Sequence, residues 1–212
     1  MNPEHTEILK NVYWIGGSTG AAKSTIARRI SEEYYFVLYD TDKTMREHGG
    51  RAEPGECPLF EAFCEMNMDE RWANRNPQQM YETFQWFHGE AFRFIIDDLL
   101  EMAAGSRVIV EGFRLLPQLV RPWLLHSHQA VWLIATHEFR VKAFTERGTL
   151  WKIPNKTTQP EKALKNHLER EVIFAEHLDR EVREEGLNFI TVDGSLSADE
   201  LYQRICGQFN IG

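Results

Sequence analysis

The chain contains no apolar run long enough to cross a bilayer, and its start, Met1 to Lys10, is polar, without the apolar core of a secretory leader. Cysteine is scarce. Cys57, Cys64 and Cys206 fall in no CxxC or CxxH spacing, and an odd count suits a reducing compartment better than a disulfide framework. A basic excess is missing too: 24 Lys and Arg against 32 Asp and Glu give a net charge of -8, which argues against a long nucleic acid as partner. There is no internal repeat and no low-complexity linker. These absences lead us to expect a cytoplasmic protein, monomer or homodimer, with no membrane and no nucleic-acid partner.

What remains is ordinary globular composition, 42% hydrophobic and 12% aromatic, in 212 residues. That length suits one domain with insertions. Short apolar runs recur between helical patterns at Val12 to Ile15, Phe36 to Tyr39, Val108 to Val110, Ala130 to Ala135 and Phe189 to Val192. Strands alternating with helices predict a parallel sheet covered on both faces, an α/β three-layer α/β/α sandwich over residues 1–212. The interval from Asp40 to Gly105 is longer than a crossover needs, so residues 43–105 read as an insertion of substrate-binding helices. Within it the spacing predicts a helix near Leu59 to Met68 and one long helix from Gln78 to Ala104. On the long helix Phe84, Phe87, Ala91, Ile95, Leu99 and Met102 share a face, with Trp86, Glu90, Arg93 and Asp97 on the solvent side. His88 and Asp98 lie beside the apolar arc, where structural partners are the expectation.

The first apolar run leads into Gly16-Gly17-Ser18-Thr19-Gly20-Ala21-Ala22-Lys23-Ser24-Thr25 and then a helical pattern. Gly17 to Ser24 fit the phosphate-loop template G-x-x-x-x-G-K-[ST], with Ala22 where glycine is usual. In that template Gly17 and Gly20 let backbone N–H groups turn inward. The helix start adds positive potential, Lys23 reaches the outer phosphates, and Ser24 offers its hydroxyl to magnesium. We expect residues 17–25 to bind nucleotide, and position 22 to need no left-handed backbone.

The second run ends in Asp40-Thr41-Asp42, past the C-terminal end of a strand expected to neighbour the phosphate strand, where open α/β sheets keep ligands. We assign Asp42 as the base that deprotonates an acceptor hydroxyl and Asp40 as a magnesium ligand, usually through water. The third run ends in Glu111-Gly112, with Arg114 next in the turn; all three are candidate substrate contacts and Glu111 also a metal candidate. Arg140 and Arg147 are seven residues apart on a helical pattern and read as catalytic lid cations in a lid region 137–160, Arg140 also touching nucleotide. The loop 148–159 reads as mobile, and Pro160 starts a second long helix to about Glu185. On that helix Arg170 reads as surface charge and Glu171 needs a partner. After the last run, Asp193-Gly194-Ser195 forms a turn whose backbone can read adenine.

These residues resemble the shikimate kinase, gluconate kinase and nucleoside or nucleotide kinase group of P-loop proteins. Gly17 to Ser24 look like its Walker A loop, Asp40 and Asp42 like the acid pair of shikimate kinases, and Glu111-Gly112 like the third strand end of uridine-kinase-like enzymes. Arg140 and Arg147 look like lid arginines, and Asp193 to Ser197 like an adenine loop. The resemblance implies ATP and Mg2+, a sheet in the order 2-3-1-4-5 and a closing lid. The expected activity is transfer of the γ-phosphate of ATP to a hydroxyl of a small metabolite, sugar, nucleoside or natural product. A nucleotide kinase is the rival, with Arg46, Arg51, Arg71 and Arg75 as its acceptor cations; a nucleotide-hydrolysing switch is a third reading, for which no water-positioning residue stands out.

Overall fold

All five apolar runs form strands. In the computed structural model, which describes residues 3–211, β1 (Val12–Gly17), β2 (Val37–Asp40), β3 (Val108–Glu111), β4 (Ala130–Ala135) and β5 (Phe189–Val192) build one parallel sheet in the order 2-3-1-4-5. Strands β3 and β4 are buried throughout, and β1 at all positions but Tyr13, because helices cover both faces. Helix α1 (Pro3–Ile8) precedes the sheet and α2 (Lys23–Tyr34) follows β1. The insertion after β2 carries α3 (Met45–Arg51), α4 (Pro58–Glu65), α5 (Met68–Trp72), α6 (Pro77–Glu82) and α7 (Phe92–Ala103). Then come α8 (Pro117–Val120) after β3, α9 (His137–Glu146) and α10 (Pro160–Glu184) between β4 and β5, and α11 (Ala198–Phe209). One core joins Leu99 of α7 and Leu178 of α10 to Trp14 and Trp132 of the sheet; the other packs Ile26 and Ile30 of α2 with Ile205 and Phe209 of α11. No helix among the described residues is long and apolar enough to cross a membrane.

The long helix expected over 78–104 is broken. Gly89 and Ala91 take left-handed backbone (φ 79° and 59°), which ends one helical piece and starts α7. Residues 85–87 form a single 3-10 turn that buries Trp86, expected on the solvent side. Glu90, also expected there, instead accepts the Leu59 and Phe60 N–H groups at 2.8 and 2.9 Å, satisfying the first turn of α4. The periodicity misled because both pieces pack aromatic rings into one core. His88 and Asp98 have the structural partners expected: His88 bonds the Tyr81 carbonyl, and Asp98 accepts from Tyr39, His48 and Arg51.

Strand β2 pairs with β3 and not with β1. The order is the one expected, but it sets the acids at the end of β2 one strand away from the phosphate strand rather than beside it, and the loop after β2 has to close that gap.

Candidate active site

The phosphate loop is held against β4. A Cβ on Gly17 (φ 131°) would stand 2.0 Å from the Leu133 carbonyl oxygen, so only glycine fits where β1 turns into the loop. The Ser18 N–H donates to that carbonyl at 2.9 Å, and its hydroxyl accepts the Ala135 N–H at 2.9 Å. Gly17 and Ser18 thus shape the loop, whereas Thr19, Gly20, Ala21, Ala22, Lys23 and Ser24 line a cavity of about 500 Å³. Thr25 is exposed in the first turn of α2, outside that cavity. Lys23 is 6% exposed and donates to the Ser18 carbonyl at 2.7 Å. Burial pulls its pKa down, while Asp42, Glu111 and Glu171 hold the charge in place.

Ala22 sits at φ 64°, ψ 9°, a left-handed residue, which corrects the expectation for this position. A Cβ there costs about 1 kcal/mol. Ala22→Gly should raise the melting temperature by about 2–4 °C and leave nucleotide affinity equal or better, as read by a thermal melt and a nucleotide titration. A lower melting temperature would mean that the Ala22 methyl packs more than it strains.

The sheet sets Asp40, Glu111 and Ile15 at one level, since Asp40 pairs with Glu111 and Glu111 with Ile15. The loop after β2 then crosses the end of β3 through Gly112. A Cβ on Gly112 (φ 151°) would lie 1.8 Å from Thr41 Oγ1, so the glycine expected to admit a ligand admits this loop instead. Asp42 reaches the cavity wall beside Lys23 by this route. Burial raises the Asp42 carboxyl to about 6, opposed by the Lys23 charge, and its Oδ1 is buried with no hydrogen-bond partner. Glu111 is 1% exposed; burial raises it to about 7 against the pull of Lys23 and of a hydrogen bond from Ser24, and its Oε2 is also unpartnered. Asp40 is engaged elsewhere, accepting the Asp42 N–H at 3.1 Å and facing Lys43 at 3.2 Å, and it does not line the cavity. The carboxylate beside Ser24 is thus Glu111, not Asp40.

The orphaned Glu111 Oε2, on a carboxylate bonded by the Ser24 hydroxyl, fits a magnesium ion, for which phosphate oxygens and water would supply the remaining ligands. Among the described residues no cluster of three or more acidic, histidine or cysteine side chains forms an all-protein cage.

Three arginines stand apart from their expected places. Arg114 is 2% exposed and turned from the cavity: it donates to the Thr41 carbonyl at 2.9 Å, bonds His48 Nδ1 at 3.1 Å and lies over the Trp86 ring, so it braces the loop carrying Asp42. Arg140 is fully buried. It donates to the Thr19 carbonyl at 3.3 Å and the Ala135 carbonyl at 3.0 Å, tying α9 to the phosphate loop, and is no lid cation. Arg170, read as surface charge, is 4% exposed over Trp72, Phe84 and Phe87 and donates to Glu171, which also accepts the Thr19 hydroxyl. Burial would raise the Glu171 carboxyl, but Arg170, His167 and the Thr19 bond hold it down near 2.

Arg147 does line the cavity, at the end of α9. So does Lys152, which the sequence reading passed over although it stands in the polar loop after Gly148. That loop is tied down rather than loose: Thr158 donates to Asp69 of α5 through its N–H (2.7 Å) and hydroxyl (2.6 Å). The turn Asp193-Gly194-Ser195 closes on itself, Asp193 accepting the Ser195 N–H and hydroxyl at 2.8 and 2.6 Å, and packs by Phe139 of α9 rather than on the cavity.

Arg140→Ala should therefore lower the melting temperature by at least about 5 °C, because two carbonyls and Glu171 lose a buried cation and a cavity opens. An unchanged thermal melt would return Arg140 to the lid.

No family model and no curated protein matches the chain. Among solved structures, an uncharacterized protein from Eubacterium ventriosum aligns over 95% of this chain and 98% of its own, with 13% identity and a TM-score of 0.50. Deoxyadenosine kinase from M. mycoides with bound dATP covers 94% and 98% at 15% identity and a TM-score of 0.48. Shikimate kinase from Acinetobacter baumannii in complex with shikimate covers 94% of each chain at 15% identity and a TM-score of 0.43. At 13% identity and a TM-score of 0.50 the likeness to the first of these is one of fold. With strand order 2-3-1-4-5 and a phosphate loop between β1 and α2, the chain has the P-loop fold.

Proposed function

We propose that the protein is an ATP-dependent phosphotransferase that moves the γ-phosphate of ATP to a hydroxyl of a small molecule. The observation that carries this reading is the sharing of one cavity wall by Lys23 and Asp42, the second with a carboxylate oxygen free of any partner. The N–H groups of residues 19–24 cradle the donor phosphates, and Lys23 neutralises the charge that builds up on the leaving oxygen in the transition state. Magnesium, held from the side of Ser24 and Glu111, would shield the β- and γ-phosphate charge. Asp42 orients the acceptor hydroxyl and takes its proton, for which a carboxyl near 6 is well placed at neutral pH. Arg147 and Lys152 face the same cavity and add positive charge over the phosphates. Adenine contacts by Asp193 to Ser195 belong to the same proposal, as does a cytoplasmic setting, which suits three unpaired cysteines.

Phosphate as acceptor fits less well. Arg51 is bound to Asp98, Arg71 and Arg75 to backbone carbonyls, and neither these nor Arg46 lines the cavity. An anionic acceptor would also meet the Asp42 carboxylate directly. The test is ATP consumption with magnesium, with and without a panel of hydroxylated compounds. We expect idling without acceptor and turnover with one; hydrolysis at one rate regardless of acceptor would replace the kinase by a hydrolytic switch.

A further inference from the structure

The two ends of the cavity differ in chemistry. The phosphate end carries Lys23, Ser24, Asp42 and Arg147, while Lys152 lines the cavity next to Ile153, which packs on the Trp72 cluster. The insertion supplies Met45, Phe63, Trp72, Phe84, Trp86 and Phe87 to the other end. On these six side chains the only strong hydrogen-bonding groups are two indole N–H donors, and there is no strong acceptor.

The rings are held in place from behind. Phe84 meets Phe87 edge-on at 4.7 Å, Phe87 stacks on Phe174 at 3.9 Å and 5°, and Phe60 backs Trp86 at 5.4 Å. Arg170 and Glu171 line the cavity beside this wall, and most of their polar atoms are spent on each other and on Thr19. The Arg170 guanidinium lies 4.4 to 5.1 Å from the ring centroids of Trp72, Phe84 and Phe87 and is bonded to Glu171 through Nε and Nη2, while its Nη1 is buried without a partner. A sugar, a polyol or the edge of a nucleobase would lose water at such a wall and gain few partners. An apolar body loses nothing, and an aromatic one gains ring-on-ring contact.

Resting on the kinase reading above, we infer that the acceptor is an alcohol with an apolar, preferably aromatic body that stacks on the insertion wall and presents one hydroxyl to Asp42. Sugars, polyols and nucleosides are then poor acceptors.

Two measurements test this. In the first, 2-phenylethanol and indole-3-ethanol are compared with glucose, gluconate, shikimate and deoxyadenosine as acceptors at saturating ATP and magnesium; kcat/KM should favour the aryl alcohols about 100-fold or more. In the second, without ATP, indole-3-ethanol or 2-phenylethanol should change the tryptophan fluorescence saturably. Phe63→Asn should weaken that response at least tenfold and Phe63→Leu restore most of it, since Phe63 is only half-buried and packs on the small cluster of Trp72, Ala73, Met80 and Ala163 rather than in the two main cores. A polyhydroxylated acceptor that outperforms the aryl alcohols overturns the inference and leaves the kinase reading standing. Saturable aryl-alcohol binding with no transfer to any compound upholds the apolar wall and removes the kinase reading. Absence of both binding and transfer for the aryl alcohols overturns the inference whatever else is phosphorylated.

Discussion

Asparagine in place of Asp42 should lower turnover roughly 100-fold or more, leave ATP affinity within a few-fold and make the protein more stable at neutral pH. The first effect follows if Asp42 accepts the acceptor's proton, because asparagine keeps the shape and hydrogen bonding but no longer takes a proton. The gain in stability follows from its pKa. The folded protein holds the Asp42 proton up to about 6, whereas the unfolded chain releases it near 3.8. Below the lower value both states are protonated and the residue is neutral to stability. Between the two values the unfolded chain ionises first, so stability falls as pH rises, and above about 6 the cost is complete at about 3 kcal/mol. Asparagine removes that cost, and the melting temperature at pH 7 should rise by roughly 5 °C. In the wild-type protein kcat/KM should fall about tenfold per pH unit below about 6. Full activity in the variant would reduce Asp42 to a helix cap. Loss of activity without any gain in stability would mean that Lys23 depends on its charge more than it suffers from burial.

Alanine in place of Lys23 should cost at least about three orders of magnitude in phosphoryl transfer, the loss expected when a buried countercharge leaves the transferring phosphate. The fold should suffer as well. Lys23 lies among Asp42, Glu111 and Glu171, and without it Asp42 and Glu111 face each other with less positive charge near them, while Glu171 keeps Arg170 and Arg140. Those acids should then hold their protons to higher pH, so the variant should melt closest to wild type below about pH 5 and fall behind as pH rises. Measuring γ-phosphate transfer alongside melts at pH 5 and pH 8 separates the effects. Near-normal transfer would remove the phosphate-loop assignment, and a melting deficit independent of pH would mean that packing, not charge, ties Lys23 to the fold.

The strands and the phosphate loop were legible because their signals are local: short, mainly apolar runs of three to six residues between turns, or glycines next to a lysine and a serine. The arginines were not. Seven-residue spacing puts Arg140 and Arg147 on one side of a helix pattern, but whether that side meets solvent or the Thr19 carbonyl depends on a phosphate loop 121 residues away in sequence. Arg170 and Glu171 settle each other's burial, and neither alone announces it. The Asp40–Asp42 pair was legible as chemistry but not in its division, because the choice between Asp40 and Glu111 beside Ser24 rests on the β2–β3 register and on one missing side chain at position 112. Gly89, read only as part of a helical stretch, was the available sign of the break before α7.

The position of the insertion gives the protein a modular character. Residues 43–107 leave the sheet just after Asp42 and return at β3, four residues before Glu111, so both acids belong to a frame fixed by strand pairing rather than to the segment that faces the acceptor. Exchanging that segment for one with another lining would swap selectivity as a cartridge while the transfer machinery stays where the sheet has put it. A chimera made at positions 43 and 107 should inherit its acceptor preference from the donor of the segment and its dependence on Lys23 and Asp42 from this chain.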